Sequence, residues 1–217
     1  MQLLDAIKQR KTIKLFQQNH LIPRSILEEM LNIAQLAPSK ANLQPWRFVV
    51  IDEPQSKTAL LDHVAFNRPP CETASALVLV LADLQYSELI EQIVEYSISH
   101  DCLQPEFKDR TIDFLTHLDK GLNDQARRDQ ILIDASLAAM QLMLAAKQQG
   151  YDTHAIGVFD REAVFNILQI DSARYVSVML IAIGKAAVPA LPSTRLPLDC
   201  TTVWNSGNDL GKCTLYK

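Results

Sequence analysis

The sequence predicts a mixed α+β fold in which helices surround a central sheet. The first indication is a pair of apolar runs of strand length, 76–82 and 176–183, which lack the polar alternation of half-exposed strands and are typical of strands buried on both faces. The second is a helical apolar stripe that starts after Pro23 and ends before Pro38. Because the chain has no internal repeat or low-complexity tract, we expect a single domain spanning residues 1–217.

Shorter and more polar segments complete the predicted fold. Strands are predicted at 47–51 and 153–156. The segments 88–100 and 107–118 have helical periodicity but are polar, which indicates helices with one face in solvent. Residues 86–124 are therefore expected to form an outer helical cover.

The most apolar helix is predicted at 131–147. Asp134, Ser136 and Gln141 interrupt it, which argues against a membrane span. A helix that is apolar nearly all round has to be covered on all sides, and a subunit interface does this more easily than a monomer of this size. Gly150 provides the stop signal.

The C-terminal arm, residues 186–217, contains several prolines and has little helical periodicity. Such a segment is either disordered or laid along another surface. Trp204 and Tyr216 supply apolar anchors, which favours docking over disorder. We therefore expect the arm to lie along another surface.

Composition excludes several classes of protein. The chain is 48% hydrophobic and 21% charged, as is ordinary for a soluble globular protein. A net charge of −4 argues against general nucleic-acid binding. The four cysteines form no Cys-x-x-Cys pair and have no metal-like histidine spacing, so no metal site is expected. The N-terminus enters an amphipathic helix directly, without a visible signal peptide, which predicts a cytoplasmic protein.

Two polar motifs near the N-terminus indicate a cofactor. The segment 10–14 (Arg-Lys-Thr-Ile-Lys) offers the fixed charge and donors that a phosphate monoester needs, although a lone basic cluster is more often a solvated face. The loop 38–46 offers hydroxyl, amide and backbone groups that can line the edge of a planar polar ring. Together they predict a mononucleotide cofactor.

Five motifs in the same order resemble those of the nitroreductase family, FMN-dependent NAD(P)H oxidoreductases. They lie at 10–16, 38–46, 66–67, 156–160 and 191–197, with family-like spacing. The resemblance implies a nitroreductase-like fold, with a mixed, mostly antiparallel sheet flanked by helices and a C-terminal arm that embraces the partner subunit. It also implies a homodimer with FMN at the interface and NADH or NADPH as co-substrate.

The resemblance assigns the phosphate of FMN to Arg10, Thr12 and Lys14, with Arg195 of the arm completing the site. Lys11 would reach the ribityl chain or the ring edge through its backbone. Many family members have a lysine two residues before this arginine, where this chain has Ser193 instead.

The flavin ring is assigned to three further segments by the same resemblance. Four residues of the 38–46 loop would approach the ring from the partner subunit; these are Pro38, Ser39, Lys40 and Asn42. Asn67 would bond the pyrimidine edge, and the stretch Ile156, Gly157 and Val158 would bring backbone N–H groups to flavin N5. Some members have a lysine where this chain has Pro70.

The implied reaction passes hydride from NAD(P)H through flavin N5 to a nitroaromatic, quinone or similar small acceptor by a ping-pong mechanism. No side chain is expected to be catalytic, because a flavin carries the redox chemistry itself. Alternatives within the fold are enoate reduction, dehalogenation or dehydrogenation, and a non-enzymatic flavin-binding sensor or carrier remains open.

Overall fold

The computed structural model describes residues 2–212, and within them eight α-helices surround one four-stranded sheet. The helices are α1 (Leu3–Gln9), α2 (Arg24–Ala34), α3 (Pro54–Leu60), α4 (Arg68–Thr73), α5 (Ile90–Ser99), α6 (Lys108–Lys120), α7 (Asp124–Gln148) and α8 (Arg161–Ile167). The strands are β1 (Trp46–Ile51), β2 (Ala76–Asp83), β3 (Asp152–Ile156) and β4 (Tyr175–Gly184).

The sheet has the strand order β1-β2-β4-β3, and every neighbouring pair is antiparallel. The central strand β2 is buried at all its positions, as its unbroken apolar run predicts. One face of the sheet packs against α2 and α7, and the other against α3, α4 and α8. The α+β fold predicted from the sequence is confirmed, with strand ends displaced by at most one residue.

A short segment extends the sheet beyond β3. Thr12 forms an isolated parallel bridge with Thr153, and the Ile13 N–H donates to the Thr153 carbonyl at 3.1 Å. Phe16 then forms an antiparallel bridge with Ala186, just after β4. These bridges fix the basic segment 10–14 beside the edge strand β3.

Helix α7 begins seven residues earlier than its apolar pattern predicts. Its first two turns are polar, so periodicity alone does not reveal them, and the Asn123 side chain caps them by accepting the Ala126 N–H at 2.8 Å. Half of the most apolar 18-residue stretch of α7 is buried in this fold, as in a core helix. On its other side Ile133, Leu137 and Met140 remain exposed. Within one chain the helix is therefore covered on one side only.

Two peripheral regions flank this core. The cover α5–α6 packs mainly on itself, and the buried Asp119 ties it to the body by accepting hydrogen bonds from Tyr86 (2.6 Å) and Arg127 (3.3 Å). The arm is extended and mostly exposed up to residue 212, with Trp204 80% exposed. Tyr216, the second predicted anchor, lies outside the described residues.

Candidate functional site

A basic pocket of about 250 Å³ lies where the start of the chain meets the arm. Its lining residues are Arg10, Lys11, Thr12, Lys14, Leu191, Pro192, Ser193 and Arg195. The structure therefore brings together the four residues predicted to bind a phosphate, including Arg195 from far along the chain, and places Lys11 beside them. Ser193 also lines the pocket, so a hydroxyl stands where many family members have a lysine.

The charges of this basic pocket are not neutralised by the part of the chain that the structure describes. Among residues 2–212, none of its four cations forms an ion pair with a carboxylate. Converging cations repel one another, so an arrangement of this kind is stable only with an anion or solvent between them. The hydroxyl of Thr12 adds a hydrogen-bond donor. The donor set fits the phosphate of a mononucleotide.

Local packing holds the basic pocket in place. The side chain of Ile13 is buried, and because side chains alternate along an extended segment, those of Thr12 and Lys14 lie on the opposite side. Phe16 is buried against Gly184, where an added Cβ would lie 2.9 Å from the Phe16 ring. A glycine is thus required at the end of β4 for the basic segment to pack there.

His154 contributes a contact that sequence patterns do not reveal. It lies buried on β3, and its Nδ1 is 2.7 Å from the carbonyl oxygen of Ile13. Burial lowers the pKa of His154 and the charge of Lys14 lowers it further, while the bond to Ile13 opposes them. These shifts favour the neutral ring, whose Nδ1–H donates to the Ile13 carbonyl, between Thr12 and Lys14.

A second group of predicted residues lies at the end of β3. Asn67 is buried, and its side-chain amide donates to the Val158 carbonyl at 3.3 Å. The carbonyl of Gly157 accepts from Arg161 at 2.9 Å, a contact that the sequence analysis missed. The structure thus joins Asn67 to the 157–158 backbone.

Ile156, Gly157 and Val158, at the end of β3, differ in their exposure to solvent. Ile156 is buried in the core and paired with Leu180 of β4, so its side chain does not face a ligand. Val158 is exposed, and an added Cβ at Gly157 would meet no atom within 4 Å. The Gly157–Val158 backbone therefore borders open space.

The third predicted group, on the loop 38–44 between α2 and β1, does not line the basic pocket. Pro38 and Asn42 are exposed, while Ser39 and Lys40 are half-buried. The loop packs against α7, where the Lys40 N–H donates to the Asp134 carboxylate at 3.1 Å. Within one chain, its outer face has no partner among the described residues.

Comparisons with known proteins identify the architecture. The family model described as the nitroreductase family matches residues 7–185 of this chain. The chain belongs to the nitroreductase family. A Bacillus subtilis protein named as an NAD(P)H nitroreductase, YdgI, is 40% identical over 201 residues, which cover 93% of this chain and 96% of that protein. The chain is accordingly an oxidoreductase of this family.

Two further relatives bear on the chemistry. The CLA biosynthesis enone reductase of Lactiplantibacillus plantarum is 34% identical over 194 residues, covering 89% of each chain. A nitroreductase from Exiguobacterium sibiricum, solved in complex with FMN, superimposes with a TM-score of 0.92 at 34% identity, covering 94% of this chain and 98% of that one. The family therefore includes relatives that differ in the acceptor they reduce.

Proposed function

We propose that this protein is a cytoplasmic, homodimeric FMN-dependent oxidoreductase that uses NADH or NADPH to reduce a small acceptor by a ping-pong mechanism. The observation that carries the proposal is the basic pocket, whose four cations have no acidic partner among residues 2–212. Its donors suit a phosphate monoester, and the related nitroreductase solved with FMN supports this choice of cofactor.

The residues of the chain divide the binding of FMN between them. Arg10, Lys14 and Arg195 would hold the phosphate, and Asn67 would hold the pyrimidine edge of the ring with the Gly157–Val158 backbone beside it. When bound, FMN supplies the redox chemistry by accepting hydride from the nicotinamide and delivering it to the acceptor. The protein would bind and orient the cofactor, and the N–H groups of Gly157 and Val158 would serve as donors to N5.

The homodimer is supported by apolar surface that one chain leaves uncovered. Ile133, Leu137 and Met140 form an exposed stripe on α7, and the arm carries the exposed Trp204. Contiguous exposed apolar side chains of this kind are typical of an interface. A second copy would cover the stripe and would also give the outer face of the loop 38–44 a flavin to contact.

Acceptor choice is proposed to reside in the α5–α6 cover. An apolar pocket of about 380 Å³ lies there, lined by Leu103, Phe107, Arg110, Thr111 and Phe114. Two phenylalanine rings suit a planar, apolar acceptor such as a nitroaromatic or a quinone. Enone reduction is the second candidate, because a relative of 34% identity is an enone reductase.

A purification followed by turnover assays tests the proposal. The protein should be yellow and should release FMN on denaturation. It should then oxidise NADH or NADPH in steady state only when a nitroaromatic, a quinone or an enone is added. Product analysis separates these acceptors. Bound FMN without turnover on any of them would instead support a flavin carrier or sensor, and a protein that binds no FMN would contradict the proposal.

A further inference from the structure

The loop 38–44 has an unusual backbone. Ala41, Asn42 and Gln44 have φ values of 49°, 57° and 46°. These values lie in the left-handed region of backbone conformation, which residues other than glycine rarely adopt. Such conformations persist only where the surrounding structure fixes them, and they cluster at functional sites. The contacts that hold this loop are therefore informative.

The carboxylate of Asp134 holds the start of the loop. Asp134 lies on α7 and is buried, and its Oδ2 accepts the backbone N–H of Lys40 at 3.1 Å. Its Oδ1 accepts from the Gln130 side chain at 3.0 Å, so both oxygens are satisfied. Burying a carboxylate among apolar side chains costs free energy unless its oxygens accept hydrogen bonds in this way. Burial accordingly raises the pKa of Asp134.

A second contact holds the end of the loop. The guanidinium of Arg47 donates to the Gln44 carbonyl at 3.0 Å and is itself bound by the fully buried Asp83 at 3.0 Å. Within the loop, the Ser39 hydroxyl accepts the Gln44 N–H at 3.0 Å. The inner side of the loop is thus fixed at both ends, and its outer side is left free.

We propose that Asp134 is a positioning residue for the flavin site, holding the loop 38–44 in the shape in which it meets the flavin of the partner subunit. This inference rests on the proposed function. Asp134 lies between Ile133 and Leu137, two members of the exposed apolar stripe on α7. One helix therefore carries both the proposed subunit contact and the tether of the loop, so forming the dimer sets where the loop lies relative to the partner's flavin.

The proposed role depends on hydrogen-bond acceptance rather than on charge. An asparagine at 134 keeps a side-chain oxygen that accepts the Lys40 N–H. Its side-chain nitrogen can donate to the oxygen of a rotated Gln130 amide. An alanine leaves both donors without a partner. Asp134→Asn should therefore rescue what Asp134→Ala loses, whereas a requirement for the negative charge would make both variants equally weak.

The Lys40 end offers an independent test in an accessible loop. Ser39 is extended, with φ −139° and ψ 160°, as a residue before proline prefers, and Lys40 is the first residue of a 3-10 turn, where proline is tolerated. Lys40→Pro removes the N–H that Asp134 binds. Lys40→Ala removes the same side chain but keeps the N–H, so the difference between these variants isolates the tether.

The decisive experiment is FMN titration of the apoproteins, followed by flavin fluorescence, with dimer state measured by light scattering. Asp134→Ala should weaken FMN binding at least tenfold while remaining dimeric, Asp134→Asn should stay within threefold of wild type, and Asp129→Ala, an exposed acid on the same helix, should match wild type. Lys40→Pro should bind FMN at least tenfold more weakly than Lys40→Ala.

Equal FMN affinity in Lys40→Pro and Lys40→Ala would overturn the proposed role of the bond between the Lys40 N–H and Asp134. If Asp134→Ala does not fold, this comparison of the Lys40 variants is the deciding test. Equal losses in Asp134→Ala and Asp134→Asn would also overturn it as stated. A wild-type protein that binds no FMN would instead overturn the proposed function itself.

Discussion

The basic pocket and the loop 38–44 are both assigned to the same cofactor, yet they lie in different parts of the fold. The basic pocket is assembled within one chain, from the segment 10–14 and the arm. The loop lies against α7, with its exposed residues turned away from the body that fixes it. Under the proposed function, a site divided in this way is complete only when two copies meet. Cofactor binding and assembly should therefore be linked, with the phosphate and the ring responding to different substitutions.

Removal of the arm should have the largest effect, because it damages both regions at once. Truncation after Ala190 keeps the bridge between Phe16 and Ala186 but removes Arg195 and Trp204. We expect a chain that dissociates or aggregates and binds FMN about 100-fold more weakly, since a charge-assisted bond and the subunit contact are lost together. Light scattering and FMN titration measure this, with Arg195→Ala as the control that leaves the arm in place. A truncated chain that stays dimeric and binds FMN normally would show that the arm is dispensable.

Gly157 tests the ring side of the site. Gly157→Pro removes the backbone N–H proposed to serve flavin N5, and a lost donor of this kind typically costs about 10²–10³-fold in rate. Gly157→Ala keeps the N–H, and its Cβ has open space. Asp160→Asn should stay within about tenfold, because no side-chain acid is expected to be essential. Stopped-flow reduction of bound FMN by NADH or NADPH measures all three. If alanine is as slow as proline, the volume at 157 matters rather than the donor.

Flavins with and without a phosphate should separate the two regions. Arg10→Ala should weaken FMN binding at least tenfold, because a charge-assisted bond contributes about 1.5–3 kcal/mol, while riboflavin binding should not change. Asn42→Ala should weaken FMN and riboflavin equally, because the loop is proposed to contact the ring. Arg24→Ala, at an exposed position of α2, is the matched control.

Titration of the three variants with each flavin gives the comparison. An Arg10→Ala protein that loses FMN and riboflavin to the same extent would contradict the assignment of the basic pocket to the phosphate.

The sequence predicts those parts of the fold that depend on local pattern. The buried strands follow from unbroken apolar runs, and the basic segment is recognisable because three cations and a hydroxyl lie within five residues. The first turns of α7 were missed because they are polar and follow no apolar stripe. The role of Asp134 was missed for a different reason. It is predicted only to interrupt an apolar helix, whereas its partner Lys40 is 94 residues away in the chain.

His154 is a second example of a contact that sequence patterns do not reveal. The sequence shows no pairing of His154 that suggests a hydrolytic triad or a zinc site, so a structural role is expected. It has such a role, because it bonds Ile13, 141 residues away. Pairings across such separations are set by the packing of the sheet and leave no local pattern. A single sequence can therefore suggest, through known motifs, which residues are expected to meet a ligand, but it does not reveal the residues that hold those motifs in place.

The smallest predicted effect concerns this histidine and pH. Because the pKa of His154 is lowered in the folded state, the unfolded chain binds a proton more readily, and the contribution of His154 to stability is lost as the pH falls below the ordinary value of 6.5. His154→Gln keeps a donor for the Ile13 carbonyl but does not titrate. The fall in melting temperature of the apoprotein between pH 7.5 and 5.5 should therefore be smaller in His154→Gln than in wild type, by about 2 °C. His117→Gln, at an exposed position of α6, is the matched control for the loss of a histidine. An unchanged slope in His154→Gln would mean that His154 is protonated equally in the folded and unfolded states, and that its bond to Ile13 does not depend on the neutral ring.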